Sequence, residues 1–345
     1  MVTLQAIRAH NLALKSLGPS LVAVFGGTSG ISLSTAQALA RYTTSPKIYL
    51  IGRNQPAATR AIEDLKAINP SAQPTFLQTD ISLLANVDRV CAEITTREKH
   101  LNLLFMTPGY MTMRGRDETA EGLDRKFALH YYARMRFIDR LMPLLTAAAS
   151  RAEGEVRLSR VVSVLDPHVA VRAGGAGKLD YEDLSLKETF SLKRCGHHAS
   201  LMGNFFLEGL AGRFPRTAFV HAYPSGVDTG LMRDLPGAGV LKALLGTALR
   251  PFLVPLSESG ERHLFAATSN RYPPREEGQE GQGGDAVAGS DGFKGSGSYW
   301  LSWDGEPFPQ NKKIDRTRAE GAVEKVVQHT EDVFKSVCEE GRTYP

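Results

Sequence analysis

The stretch "VAVFGGTSGISLSTAQALA" (22–40) joins an apolar, β-rich run to a helical pattern through a glycine turn. Glycines there permit a tight turn and close approach of the backbone to a diphosphate. The helix that follows offers free N–H groups and a partial positive charge. Gly26, Gly30 and Ser32 occupy the three places of a G-x-x-x-G-x-G loop, with Thr28, Ser29 and Ile31 completing the cradle. The third glycine of such loops packs helix against strand. A serine there predicts a narrowed pocket or a displaced diphosphate rather than a lost site.

Outward from the loop, short apolar runs alternate with helical patterns. "LVAVFG" (21–26), "KIYLIGR" (47–53), "PTFLQTD" (74–80), "LNLLFMT" (101–107), "SRVVSVLD" (159–166) and "TAFVHAYP" (217–224) read as strands buried on both faces. Alternation of this kind predicts right-handed crossovers and an α/β, Rossmann-like, doubly wound parallel sheet in a single domain. The expected organisation is an N-terminal helix (1–20), a sheet domain (21–272) and a C-terminal strand and helix extension (299–345). Within it, the apolar segment 235–261 reads either as a helix pair packed on the domain or as a substrate lid. The run 273–298, rich in Gly, Gln and Glu, reads as a flexible insertion.

The formal net charge is only +4 over 345 residues, with no dense Lys/Arg tract, which argues against a nucleic-acid partner. Cys91, Cys195 and Cys338 are far apart and form no ligand set, so no metal is expected and a reducing compartment fits. No run reaches the roughly 18 apolar residues of a membrane span. These readings together predict a cytoplasmic protein with a small hydrophobic substrate, homo-oligomerisation being left open.

The second strand ends in Arg53 rather than an acid, which suits the 2′-phosphate of NADP; a solvated surface arginine is the plainer alternative. Asp80, ending the third strand, can accept from an adenine amine or cap the next helix.

These residues resemble the short-chain dehydrogenase/reductase family, in particular a divergent fungal branch of specialised metabolism. The resemblance runs from "VAVFGGTSGIS" through "IGRN", "TDIS", "LLFMTPGY", "EGLDRKFALHYYAR", "RVVSVL" and "DYEDLSLKETFS" to "FVHAYPSGVDTGLM" and "ESGER". It implies hydride exchange with NADP(H), and Thr229 of "GVDTG" matches the place that meets the nicotinamide amide. It also implies a Ser, a Tyr-x-x-x-Lys pair and an Asn, and here the chain departs from the pattern. Ungapped alignment leaves Gly196 at the Tyr place and Ser200 at the Lys place. Leu165 and Asp166 stand at the serine pair, His130 at the Asn place, and Ser225 where a glycine follows proline.

Imidazole beside carboxylate is a competent acid–base pair. His197, His198, Asp166 and His130 are therefore the expected proton-handling residues, although paired histidines at a helix start are often only solvated or capping groups. Tyr110 and His168 are expected substrate contacts. Two other functions stay open: a cofactor-independent cyclase or isomerase on the same scaffold, and a catalytically silent binding protein.

Overall fold

The computed structural model describes residues 1–17, 21–152, 154–172, 177–229, 253–279 and 285–344. Seven strands form one sheet in the order β3-β2-β1-β4-β5-β6-β7. They are β1 (Val22–Gly26), β2 (Lys47–Gly52), β3 (Gln73–Gln78), β4 (Leu103–Met106), β5 (Arg160–Val164), β6 (Ala218–Ala222) and β7 (Ser298–Leu301). Every pairing is parallel. The six expected strands are all present within a residue or two of their expected ends, and β7 adds a parallel edge from the C-terminal extension. The order reverses between β1 and β4, so the carboxyl ends of those strands diverge and open a crevice.

Side chains alternate across each strand and feed two cores. On β1, Ala23 and Phe25 pack with helices α1 (Leu4–Ala13), α2 (Gly30–Tyr42), α3 (Gln55–Ile68) and α8 (Leu256–Thr268). Val22 and Val24 face α4 (Leu84–Arg97), α6 (Ala133–Ala149), α7 (Leu192–Arg213) and α11 (Ala322–Phe334). A fully buried ring such as Phe105 contributes about 1.5–3 kcal/mol.

Local chemistry sets the helix starts. The Asn54 side chain accepts from Ala57 N–H to cap α3, and Ser191 accepts from Arg194 N–H to cap α7. A short turn, α5 (Arg125–Phe127), leads into a π-helical stretch, Ala128–Tyr132, before α6. Its widened turn holds Tyr131 and Tyr132 in the core, where their hydroxyls reach Thr330 (2.5 Å) and His329 (2.9 Å) on α11. His130, in the same stretch, lines the crevice.

Of the apolar segment 235–261, residues 235–252 lie outside the described residues. Residues 256–261 begin α8, which crosses α2: Ser34 Oγ donates to Leu256 O (2.8 Å). The Gly-rich run 273–298 is described at 273–279, where α9 (Arg275–Gln279) forms, and at 285–298. There Val287 N–H donates to Arg271 O (3.1 Å) and Ser290 Oγ to Glu208 (2.7 Å). The C-terminal extension supplies α10 (Lys312–Ala319) and α11, separated at Gly321, whose φ of +79° ends one helix before the next.

Candidate active site

A cleft of about 860 Å³ opens at the carboxyl ends of β1, β2, β4, β5 and β6. Its floor at one end is the β1–α2 loop. Gly27 (φ +138°) and Gly30 (φ +60°) adopt backbone that side chains resist, and they bring the chain round into α2. Ser29 takes the N-cap position with no side-chain cap bond, so its hydroxyl leaves the first-turn N–H groups of α2 uncapped. All eight residues expected to hold a cofactor line this cleft: Gly26, Thr28, Ser29, Gly30, Ile31, Arg53, Asp80 and Thr229. A Cβ on Gly30 would stand 3.5 Å from Thr229, so these two walls nearly touch. Loop, uncapped helix start and a cation at the end of β2 form a donor set suited to the diphosphate of a dinucleotide. Arg53 Nη1 is 4.0 Å from Asp80 Oδ2, with the two side chains 65% and 38% exposed. A pair that open is weak. Asp80 Oδ1 also accepts from Ser82 N–H (3.0 Å), so its turn-forming role is occupied.

The other end of the cleft carries His130, Asp166, Tyr110 and Arg134. The His130 ring lies against the backbone of Gly109: a Cβ there would meet Nε2 at 2.6 Å. Burial, reinforced by Arg134 and then Lys126, pushes the imidazole down to about 3, so it is neutral near pH 7. Burial raises the Asp166 carboxyl, opposed by the His168 N–H that it accepts (2.9 Å) and by Arg172 (3.2 Å). Burial likewise raises the Tyr110 phenol, which keeps its proton.

Three expected site residues lie outside the cleft lining. His198 is buried on α7, accepting at Nε2 from Asp180 N–H (3.3 Å) with Nδ1 3.3 Å from Leu184 O. It pins the segment between β5 and α7. His197 is half-buried, and burial first and Lys193 second lower it. His168 stacks on Phe308 at 4.1 Å between ring centroids and is pushed to about 4 by burial. It reaches the cleft only through its backbone bond to Asp166. At the vacated family places, Gly196 faces open space and Ser200 Oγ donates to Asp166 O (2.6 Å).

Arg134 was not singled out from the sequence. Its signal was an arginine four residues after His130 in the helical run "HYYARMRF". In the structure its guanidinium lies under the cleft, donating to Ser163 Oγ (2.8 Å), Val164 O (2.9 Å), Pro108 O (2.6 Å) and Leu129 O (3.2 Å).

Residues 20–156 match the family model described as short chain dehydrogenase. An oxidoreductase of Emericella nidulans is 39% identical over 342 residues, covering 97% of this chain and 98% of the relative. Oxidoreductase andH of Emericella variicolor is 35% identical over 346 residues, covering 98% of each chain. Among solved structures, the NADPH-bound carbonyl reductase from chicken fatty liver superposes with a TM-score of 0.53 at 16% identity, over 85% of this chain and 100% of that one. A 3-oxoacyl (acyl-carrier-protein) reductase from Agrobacterium tumefaciens with NADP bound gives 0.55 at 14% identity, over 85% and 96%. At such identities the likeness is one of fold.

Proposed function

The chain belongs to the short-chain dehydrogenase/reductase family, and on that premise we propose that it binds NADP(H) and interconverts a hydrophobic ketone and alcohol of specialised metabolism. The carrying observation is one continuous cleft with two chemically different ends. At one end, the uncapped start of α2 and the Arg53 guanidinium are the anion-binding groups. At the other, His130, Tyr110 and Asp166 are among the lining residues, which supports placing the reacting oxygen there. Ile31, Ile51, Met111, Leu129, Val164 and Leu165 give the walls an apolar character. The similarity to fungal oxidoreductases supports a redox reaction.

When bound, the dinucleotide gives hydride to a carbonyl carbon or takes it from an alcohol carbon. The chain's residues handle the oxygen. Neutral His130 and protonated Tyr110 hold it by hydrogen bonds, and Asp166, less acidic than an open carboxylate, passes the proton. Asp166 is oriented for this by His168 N–H and Arg172.

Titration with NADPH followed by nucleotide fluorescence tests the reading. Binding near micromolar, about −8 kcal/mol, is expected. Arg53→Ala should weaken NADPH about tenfold or more and leave NADH nearly unchanged, since one charge-assisted contact is worth about 1.5–3 kcal/mol. Absence of saturable NADPH binding would overturn it.

A second reading has one observation in its favour: Gly196 and Ser200 at the family's Tyr and Lys places remove the usual acid–base pair. A non-redox cyclase or isomerase predicts product without any nicotinamide, whereas strict nicotinamide dependence would exclude it.

A further inference from the structure

Arg134 is the feature of the cleft that the proposed chemistry leaves unused. Its side chain is only 1% exposed. Four of the five N–H groups of a guanidinium are taken by its four oxygen partners, and all four are neutral: three carbonyls and one hydroxyl. No carboxylate pairs with it among the described residues. A buried cation without an opposite charge is costly, and neutral amides could satisfy the same carbonyls more cheaply.

The groups around it do not cancel the charge. His130, one helical turn before it, and His221, on β6, are both held neutral by burial, with Arg134 adding to the effect in each. Lys126 adds a second cation near His130. Tyr110 stays protonated, and the Asp166 carboxylate is already engaged by Arg172. The reacting end of the cleft is therefore electropositive at its floor. With its fork spent on protein oxygens, Arg134 cannot grip a carboxylate with two parallel bonds. One N–H and the charge remain, which suits a single oxygen.

We propose that Arg134 is the fixed countercharge for a single substrate oxygen carried as an anion, so that the cleft takes substrates with an acidic hydroxyl on an sp² carbon, an enol or a phenol. This rests on the reading of the His130 end as the substrate site, but not on the identity of the cofactor. This anionic oxygen is distinct from the ketone or alcohol oxygen that His130 and Tyr110 hold in the proposed reaction, and the fixed charge stabilises it without reorganisation.

The test uses the full-length protein and 4-nitrophenol, whose absorbance reports its ionisation. Bound probe should ionise at least about one pH unit below free probe, as expected beside a cation roughly 4–6 Å away. Arg134→Met should abolish the downshift, and Arg134→Lys, which keeps a charge without the fork, should retain part of it. Circular dichroism establishes that each variant is folded. If Arg134→Met does not fold, wild type and Arg134→Lys decide the question. Probe that ionises at or above its free value in the wild type would overturn the proposal. So would failure to bind at millimolar concentration, or an undiminished shift in folded Arg134→Met. NADPH affinity, measured on the same samples, reports separately on the proposed cofactor.

Discussion

Ser32 fills the space beneath Gly27: a Cβ on Gly27 would meet Ser32 Cβ at 3.1 Å, and the Ser32 hydroxyl is buried with no hydrogen-bond partner among the described residues. Ser32 is absent from the cleft lining. It is thus a packing residue under the loop, and the effect on the diphosphate expected from sequence has no direct contact to act through. A buried hydroxyl left unsatisfied costs about 1–3 kcal/mol. Ser32→Ala is expected to raise the urea midpoint, with a gain of about 1 kcal/mol, while NADPH affinity changes less than about twofold. A stability loss in equilibrium unfolding would show that the hydroxyl is satisfied after all.

Ser225 carries φ +63° at the cleft wall, in the left-handed region. For an L-residue that conformation costs about 1–2 kcal/mol. Glycine would relieve it but loses roughly 0.5–1 kcal/mol through backbone entropy. Ser225→Gly should therefore lie within about 1 kcal/mol of the wild type. Ser225→Val, β-branched and least tolerant of positive φ, should lose about 2 kcal/mol in urea unfolding. Equal stability for the two variants would count against a strained turn.

The buried histidines predict a direction for acid sensitivity. His221, with Nδ1 2.6 Å from Asn204 Oδ1, is pushed by burial to about 3, and His263 to about 4. Both folded values lie below the unfolded one, about 6.5. The unfolded chain then binds more protons in mild acid. Stability is complete above roughly pH 6.5 and is lost as pH falls from there toward the folded values. The urea midpoint should drop from pH 7.5 to pH 5. His221→Gln should remove about 1–2 kcal/mol of that drop. An unchanged slope in the variant would mean that His221 already protonates in the folded state.

Much of this architecture was legible because burial on both sheet faces writes itself into sequence. β1, β2, β4, β5 and β6 are mostly apolar and buried along nearly their whole length, and the glycine turn before α2 is dictated by backbone sterics at Gly27 and Gly30. The cofactor end was legible for the same reason, since it is made of backbone and strand ends whose positions follow from the topology. The catalytic end was less so. The vacated family places point to His130 and Asp166, and both line the cleft, but side-chain direction on a helix depends on local winding. The π-helical turn Ala128–Tyr132 is set by tertiary packing of Tyr131 and Tyr132 on α11. His197 and His198 share a helix with the vacant Gly196 place, yet one turns to the loop before α7 and neither reaches the lining. Arg134 escaped notice because buried arginines on apolar faces ordinarily pair with acids that a sequence does not locate.

Asp166 and His197 separate two versions of the proton path. Asp166 lines the cleft, held by His168 N–H and Arg172, whereas His197 is outside the lining. Asp166→Asn preserves the side chain's shape and its acceptor for His168 N–H but cannot exchange a proton. General acid–base help is worth about 10²–10⁴-fold, so Asp166→Asn should lower kcat by roughly 10²-fold or more with NADPH affinity unchanged. His197→Ala should keep kcat within about threefold. His198→Ala should act through stability, because its ring joins Asp180 N–H and approaches Leu184 O. Steady-state rates alongside thermal midpoints for the three variants decide between the paths. A full-rate Asp166→Asn enzyme with a slowed but stable His197→Ala would move the proton step from the carboxylate to the imidazole pair on α7.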